Sequence, residues 1–200
     1  MIEFIDSLDK EVLVWLNGFH NPFMDTLMWY VSSAPFWIPF YIMLFVFLLK
    51  TRSSIWPKFD YKQLAFVIVS ISVAILLADQ ISSGFFKPFF GRFRPSHSPE
   101  LEGLVHLLTS PDGEIYKGGQ YGFVSSHAAN SFAIAWFVSS LIQLRKAWVI
   151  MIVWAVLVSY SRIYLGVHYP GDIIGGAIVG IVSGAIAAKL YFYLNSKWTD

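Results

Sequence analysis

Three short stretches hold nearly all the reactive side chains of this sequence. "KPFFGRFRP" carries Lys87, Arg94 and Pro95, "VSSHAAN" carries Ser125, Ser126 and His127, and "SRIYLGVHYPGD" carries Arg162, His168 and Asp172. An arginine is a rigid fork that matches phosphate oxygens bidentately, and a lysine is a point charge for the same group. Ser125 and Ser126 stand where a helix N-cap belongs, ahead of an apolar run, and the amides and dipole of that helix start favour an anion. A phosphate group satisfies all of these at once. Lys87, Arg94, Ser125, Ser126 and Arg162 are therefore the candidate phosphate-binding residues.

The two histidines can divide the remaining work. One imidazole attacks phosphorus and forms a phosphohistidine; the other protonates the leaving oxygen and later activates water. The attacking nitrogen must be unprotonated, so a carboxylate should hold the proton on the other ring nitrogen. Asp172 follows His168 by four residues, and the pair can meet if "YPG" leads into a helix with Pro170 near its first position. His168 and Asp172 are the expected nucleophile and its orienter, and His127 the acid and base. The cations would stabilise charge on the equatorial oxygens of the transition state. No step requires a metal, and no cofactor is expected.

The elements that must position these residues are membrane segments. Of 200 residues, 56% are hydrophobic, 18% aromatic and 14% charged, against about 25% charged in an ordinary soluble domain. A net charge of +1 argues against nucleic acid as a partner. With no cysteine, disulfides, zinc–thiolate sites and thiol catalysis are excluded. No Pro/Ser-rich or single-sign linker divides the chain, so one membrane-embedded domain over 1–200 is expected. The start, "MIEFIDSLDKEVL", is acidic before any lysine, so no signal peptide is expected.

Four apolar runs, Phe36–Leu49, Leu64–Phe86, Ala128–Leu144 and Ala147–Leu165, are joined by a fifth, Ile173–Leu194, broken only by Lys189. A crossing takes about 20 residues, so the first run should borrow from Met24–Pro35, with a kink at Pro35 or Pro39. In residues 1–20, Ile2, Ile5, Leu8, Val12, Leu13 and Leu16 recur at helical spacing between Asp6, Asp9 and Lys10, which predicts an amphipathic helix at the interface. The fold class expected is all-α, an integral membrane bundle of five to six transmembrane helices with that N-terminal helix. Lys50, Arg52, Lys58 and Lys62, then Arg145 and Lys146, then Lys189 and Lys197 fall on one side, which the positive-inside rule makes cytoplasmic. The three reactive stretches fall on the other side, and their cations go against the rule. An anionic ligand is the natural reason.

Lys87 followed by six residues and "RP", then "SSH", then "SR" with five residues to His168 and three more to Asp172, resembles the type 2 phosphatidic acid phosphatase (PAP2) superfamily. These are integral-membrane lipid phosphatases that share an active-site pattern with vanadium haloperoxidases. The resemblance implies a helical bundle with its site near the membrane surface. It also implies phosphate binding by Lys87, Arg94, Arg162, Ser125 and the backbone at Ser126, with His127 as acid and base, His168 as nucleophile and Asp172 as its partner. The family commonly has Pro-Ser-Gly-His where this chain has Val124-Ser125-Ser126-His127; Ser126 adds a Cβ and a hydroxyl where glycine would let backbone approach the phosphate.

Other residues have plainer expectations. His20 and His106 read as interfacial, and His97, close behind "RP", as a residue that could face the site. Asp79, deep in the second run, should be structurally paired. Gly176, Gly180 and Gly184 form a small-residue stripe that should seat another helix of this chain. Trp56 and Tyr61 fit an interfacial belt. Arg92 fits either a phosphate or a headgroup contact. The loop Ser96–Phe123 should help select the substrate. The function expected is hydrolysis of a lipid phosphate or diphosphate at the outer face of a bacterial inner membrane, and the partners are that lipid and the bilayer. The alternatives are a lipid phosphotransferase using the same site or a lipid or anion transporter. A transporter needs no His–Asp relay and would place its site near the midplane between related halves.

Overall fold

The structure, a computed structural model, describes residues 2–50, 61–110 and 112–198. Every regular element among them is helical, and extended pairing is limited to the isolated bridges Phe93 to Tyr121 and Thr109 to Ile115. The helices are α1 (Ile2–Asn17), α2 (Pro22–Ser32), α3 (Ile38–Lys50), α4 (Tyr61–Asp79), α5 (Lys87–Phe90), α6 (Ser126–Ile142), α7 (Arg145–Tyr164) and α8 (Pro170–Trp198). A π-helical segment, Gln80–Phe86, joins α4 to α5 without a break. Arg52, Trp56 and Lys58 lie outside the described residues.

Among the described residues, three helices are long and apolar enough to cross a membrane alone: Tyr61–Phe90, Arg145–Tyr164 and Pro170–Trp198. Pro22–Ser32 and Ala34–Leu48 reach that length only together, bent by 78° at their junction. The expected kink is thus present and falls just before Pro35, because proline restricts the residue ahead of it and has no N–H to continue the α2 ladder. Trp37 secures the bend: its indole N–H donates to the Val31 carbonyl at 2.8 Å. Trp37, Phe40 and Tyr41 then pack around Trp154 of α7 at centroid distances of 5.9, 5.4 and 6.0 Å.

The centre of the bundle is α6, enclosed by α4, α7 and α8. At 17 residues it is shorter than a full crossing. Its Ala128, Ala129, Ala133, Ala135 and Phe137 are buried completely. Apolar side chains gain little by leaving lipid for protein, so close approach of backbones drives such packing. The glycine stripe of α8 provides it: a Cβ at Gly176, Gly180 or Gly184 would collide with backbone of α6 near Ser125, Ala129 and Ala133. The stripe seats a helix of the same chain, as expected.

The alternation of helix direction brings four ends together. Lys87 closes the α4 span, Ser125 caps α6, Arg162 ends α7 and Asp172 begins α8. The Ser125 N–H donates to the Asp172 carbonyl at 3.0 Å, tying two of the reactive stretches backbone to backbone.

Candidate active site

A cavity of about 650 Å³ opens between α3, α4, α6 and α7. Its head is lined by Lys87, Arg94, Ser126, His127 and His168. Its body is lined by apolar side chains such as Trp37, Leu44, Leu48, Val67, Ile71 and Val138. From Lys87 to Val67 the lining follows one continuous helix for about 20 residues, roughly 30 Å at 1.5 Å per residue.

Each cation is held by polar groups that leave it directed by the scaffold. Lys87 Nζ donates to Ser126 Oγ at 2.6 Å and to Ser83 Oγ at 3.1 Å, and the two hydroxyls lie 2.8 Å apart. Ser83 also donates to Asp79 Oδ1 at 3.3 Å, so the intramembrane carboxylate lines the cavity one hydroxyl away from Lys87. Arg94 is 8% exposed and its Nε donates to the Tyr121 carbonyl at 3.1 Å. Gly118, at a φ of +65°, lies against its guanidinium, where a Cβ would collide. Arg162 is buried within α7, donating to Ser32 Oγ and, at 3.0 Å, to the Tyr116 hydroxyl. Its Nε is buried without a hydrogen-bond partner among the described residues, as is Asn130 Oδ1 on the cavity wall. A buried donor in that state favours an anion.

Ser125 is fully buried, caps α6 from its side chain at 3.5 Å, and lies behind the cavity wall rather than on it. His127, in the first turn of α6, is exposed and lines the head of the cavity. His168 is 1% exposed, and its Nδ1 lies 3.2 Å from Asp172 Oδ2. Burial first, and then Arg94, Arg162 and Lys87, push the His168 imidazole well below the ordinary histidine range, which favours its neutral form. In that form Nδ1–H donates to the carboxylate, and Nε2 keeps its lone pair. The Asp172 side chain also accepts from the Tyr169 N–H at 3.1 Å and from Arg92 at 3.2 Å.

Of the two sequence expectations for Arg92, a phosphate or a headgroup contact, the structure departs from the first. Arg92 does not line the cavity; it turns away to Asp6, Asp9 and Asp172. His97 is also outside the cavity lining, with its Nδ1 3.2 Å from Ser96 Oγ. His20 and His106 stack at 3.9 Å, and His106 Nε2 meets Asp25 at 3.1 Å beside a separate hollow of about 400 Å³. Among the described residues, no three His, Asp or Glu side chains stand close enough to hold a metal ion. The partners Ser32, Ser83 and Tyr116 have no signal in the sequence, since each is one unremarkable polar residue in an apolar or loop stretch.

Lys87, Arg94 and two imidazoles, one of them bound to a carboxylate, line the head of a cavity whose body is apolar, with Arg162 buried outside the lining. That set suits the binding of a phosphate ester on a lipid. The chain belongs to the PAP2 superfamily, whose model matches residues 63–196. It is 37% identical to the lipid A 4'-phosphatase of Bacteroides thetaiotaomicron, covering 100% of this chain and 82% of that one. It is 35% identical to the lipid A 4'-phosphatase of Porphyromonas gingivalis, covering 98% and 78%. The crystal structure of Aquifex aeolicus LpxE superposes with a TM-score of 0.63 at 28% identity, covering 91% of this chain and 95% of that one. The chain is accordingly a membrane enzyme that hydrolyses lipid phosphates.

Proposed function

We propose that this enzyme removes a phosphate monoester from the saccharide headgroup of a lipid A type lipid, through a phosphohistidine on His168. The observation that carries the reading is the cavity, which joins a phosphate-sized polar head to an apolar body long enough for an acyl chain. The names of the two relatives that align over nearly the whole chain direct the choice of lipid.

Lys87, Arg94 and Arg162 hold the phosphate oxygens, and the capped start of α6 adds its amides and dipole. Nε2 of His168 attacks phosphorus in line with the ester oxygen. His127 gives its proton to the departing sugar oxygen, and the dianion bound beside it favours the protonated imidazole that this step needs. Water then enters, His127 takes its proton, and the phosphorus–nitrogen bond breaks to release phosphate and restore His168. One domain over 1–200 performs this, crossing the bilayer five times when the bent pair and α6 are counted, with α1 at the interface. The site faces the periplasm of a bacterial inner membrane, because Arg145, Lys146 and Lys197 mark the opposite side.

The test is phosphate release by purified protein, with EDTA present, from lipid A, undecaprenyl diphosphate and phosphatidylglycerophosphate, beside His168→Ala. Lipid A should be preferred, should lose one phosphate, and should be untouched by the mutant. Activity that persists without His168 would break the mechanism, and preference for either other lipid would break the substrate assignment.

A further inference from the structure

Arg92 is 24% exposed at its side chain and makes three carboxylate contacts. Its Nη1 meets Asp9 at 2.8 Å and Asp172 at 3.2 Å, and its Nη2 meets Asp6 at 2.9 Å. The guanidinium also lies over the Tyr169 ring, 3.9 Å from its centre. Asp9 does a second job: its Oδ1 accepts from the Gly171 N–H at 2.7 Å, in the first turn of α8. Lys10 continues the chain outward, to Asp6 at 2.6 Å and Glu100 at 2.5 Å. Charges of alternating sign thus run from an exposed glutamate to the fully buried Asp172, and through it to His168.

We propose that Arg92, held by Asp6 and Asp9 of α1, is a positioning residue that fixes the Asp172 carboxylate against His168, which makes the N-terminal helix part of the catalytic apparatus. The assignment rests on the phosphohistidine reading. A buried carboxylate needs a compensating cation. The phosphate-binding cations cannot serve, because each substrate's charge claims them. Arg92 does not line the cavity and is not lost to substrate. Its Nη1 donates to Oδ1 while His168 takes Oδ2, so each carboxylate oxygen is held by a different partner. Asp6 and Asp9 lie outside residues 63–196, so this support comes from chain that the family model does not cover.

The experiment is steady-state kinetics on purified full-length protein with lipid A as substrate, for Arg92→Gln, Arg92→Lys, Asp9→Asn and His168→Ala, each also melted in the same detergent. Arg92→Gln and Asp9→Asn should lower kcat about 10- to 100-fold with KM within about twofold, as for groups that orient a catalytic side chain rather than touch substrate. Arg92→Lys should recover part of the loss. In an Asp172→Asn background, Arg92→Gln should cost less than about twofold more, because the carboxylate it orients is gone. A raised KM at constant kcat would make Arg92 a substrate contact and overturn the proposal. So would wild-type kcat in Asp9→Asn, which remains decisive if Arg92→Gln melts early. An inactive His168→Ala beside unaffected Arg92 and Asp9 variants would sink this inference alone. An active His168→Ala would sink the phosphohistidine reading beneath it.

Discussion

In the proposed mechanism a neutral His168 is the nucleophile, and the burial that favours that form links stability to pH. Its pKa in the folded protein lies below the unfolded value of about 6.5. Between those two values the unfolded chain binds the extra proton, so this contribution is intact above about pH 6.5 and fades as pH falls below it. Melting temperature should therefore drop from pH 7 to pH 5, and drop less in His168→Gln. An equal drop in both would place the sensitivity elsewhere. Lys87→Met, by contrast, should cost about 10²–10³ in kcat, the scale for one lost donor to developing charge, with melting unchanged. A folding defect without a catalytic one would make Lys87 structural. These residues are legible in the sequence because charge at a membrane edge is expensive, and three such clusters on one side of the bilayer call for a shared anion. Their partners are not. Tyr116 and Ser32 meet Arg162 only through tertiary packing. Arg92 misleads in sequence because its neighbours there are apolar, while its carboxylate partners lie eighty or more residues away.

Among the elements, α6 and α8 decide whether the site forms, since Ser125, Ser126 and His127 ride on one and Asp172 on the other. The period-four glycines of α8 announce a close helix contact, and the contact is there. Its partner carries the matching stripe, Ser125, Ala129 and Ala133 at the same period of four, which is legible once α6 is read for small residues as well as glycines. Gly180→Leu should force the helices apart, at an overpacking cost of about 1–3 kcal/mol or more, and should lower both melting temperature and activity. Gly103→Leu, at a loop position with nothing within 4 Å of an added Cβ but a φ of +76°, should cost backbone strain and leave the α6–α8 contact alone. The bent α2–α3 pair is legible in its prolines. The short α6 is legible as an apolar run, and its length is tolerated because neighbours rather than lipid surround it.

For the molecule as a whole, the cavity joins two kinds of chemistry that the sequence shows only as separate stretches. Its body is built by α3, α4, α6 and α7 together, so no single stretch announces it. Filling it is the direct test. Ile71→Trp, on the wall well below the phosphate head, should raise KM for a long-chain lipid phosphate several-fold and leave hydrolysis of a short-chain, water-soluble phosphate ester nearly unchanged. Equal effects on both substrates would mean that the acyl chain lies elsewhere.

The wide turns of Gln80–Phe86 have a consequence for register. In an α-helix each residue advances about 100°, so a residue eight positions on stands about 80° around from where it began. Asp79, Ser83 and Lys87 are spaced by four and four, yet all three line the cavity. The Lys87 N–H bonds to the Ser82 carbonyl five residues back, and such looser turns advance less per residue. The segment thus behaves as an ordinary helix carrying one surplus residue. Shortening it by one, at Gly84, leaves Asp79 and Lys87 seven apart, a spacing that an unbroken α-helix also keeps on one face. Here alone along this span, the length of the chain and the aim of its lysine are uncoupled.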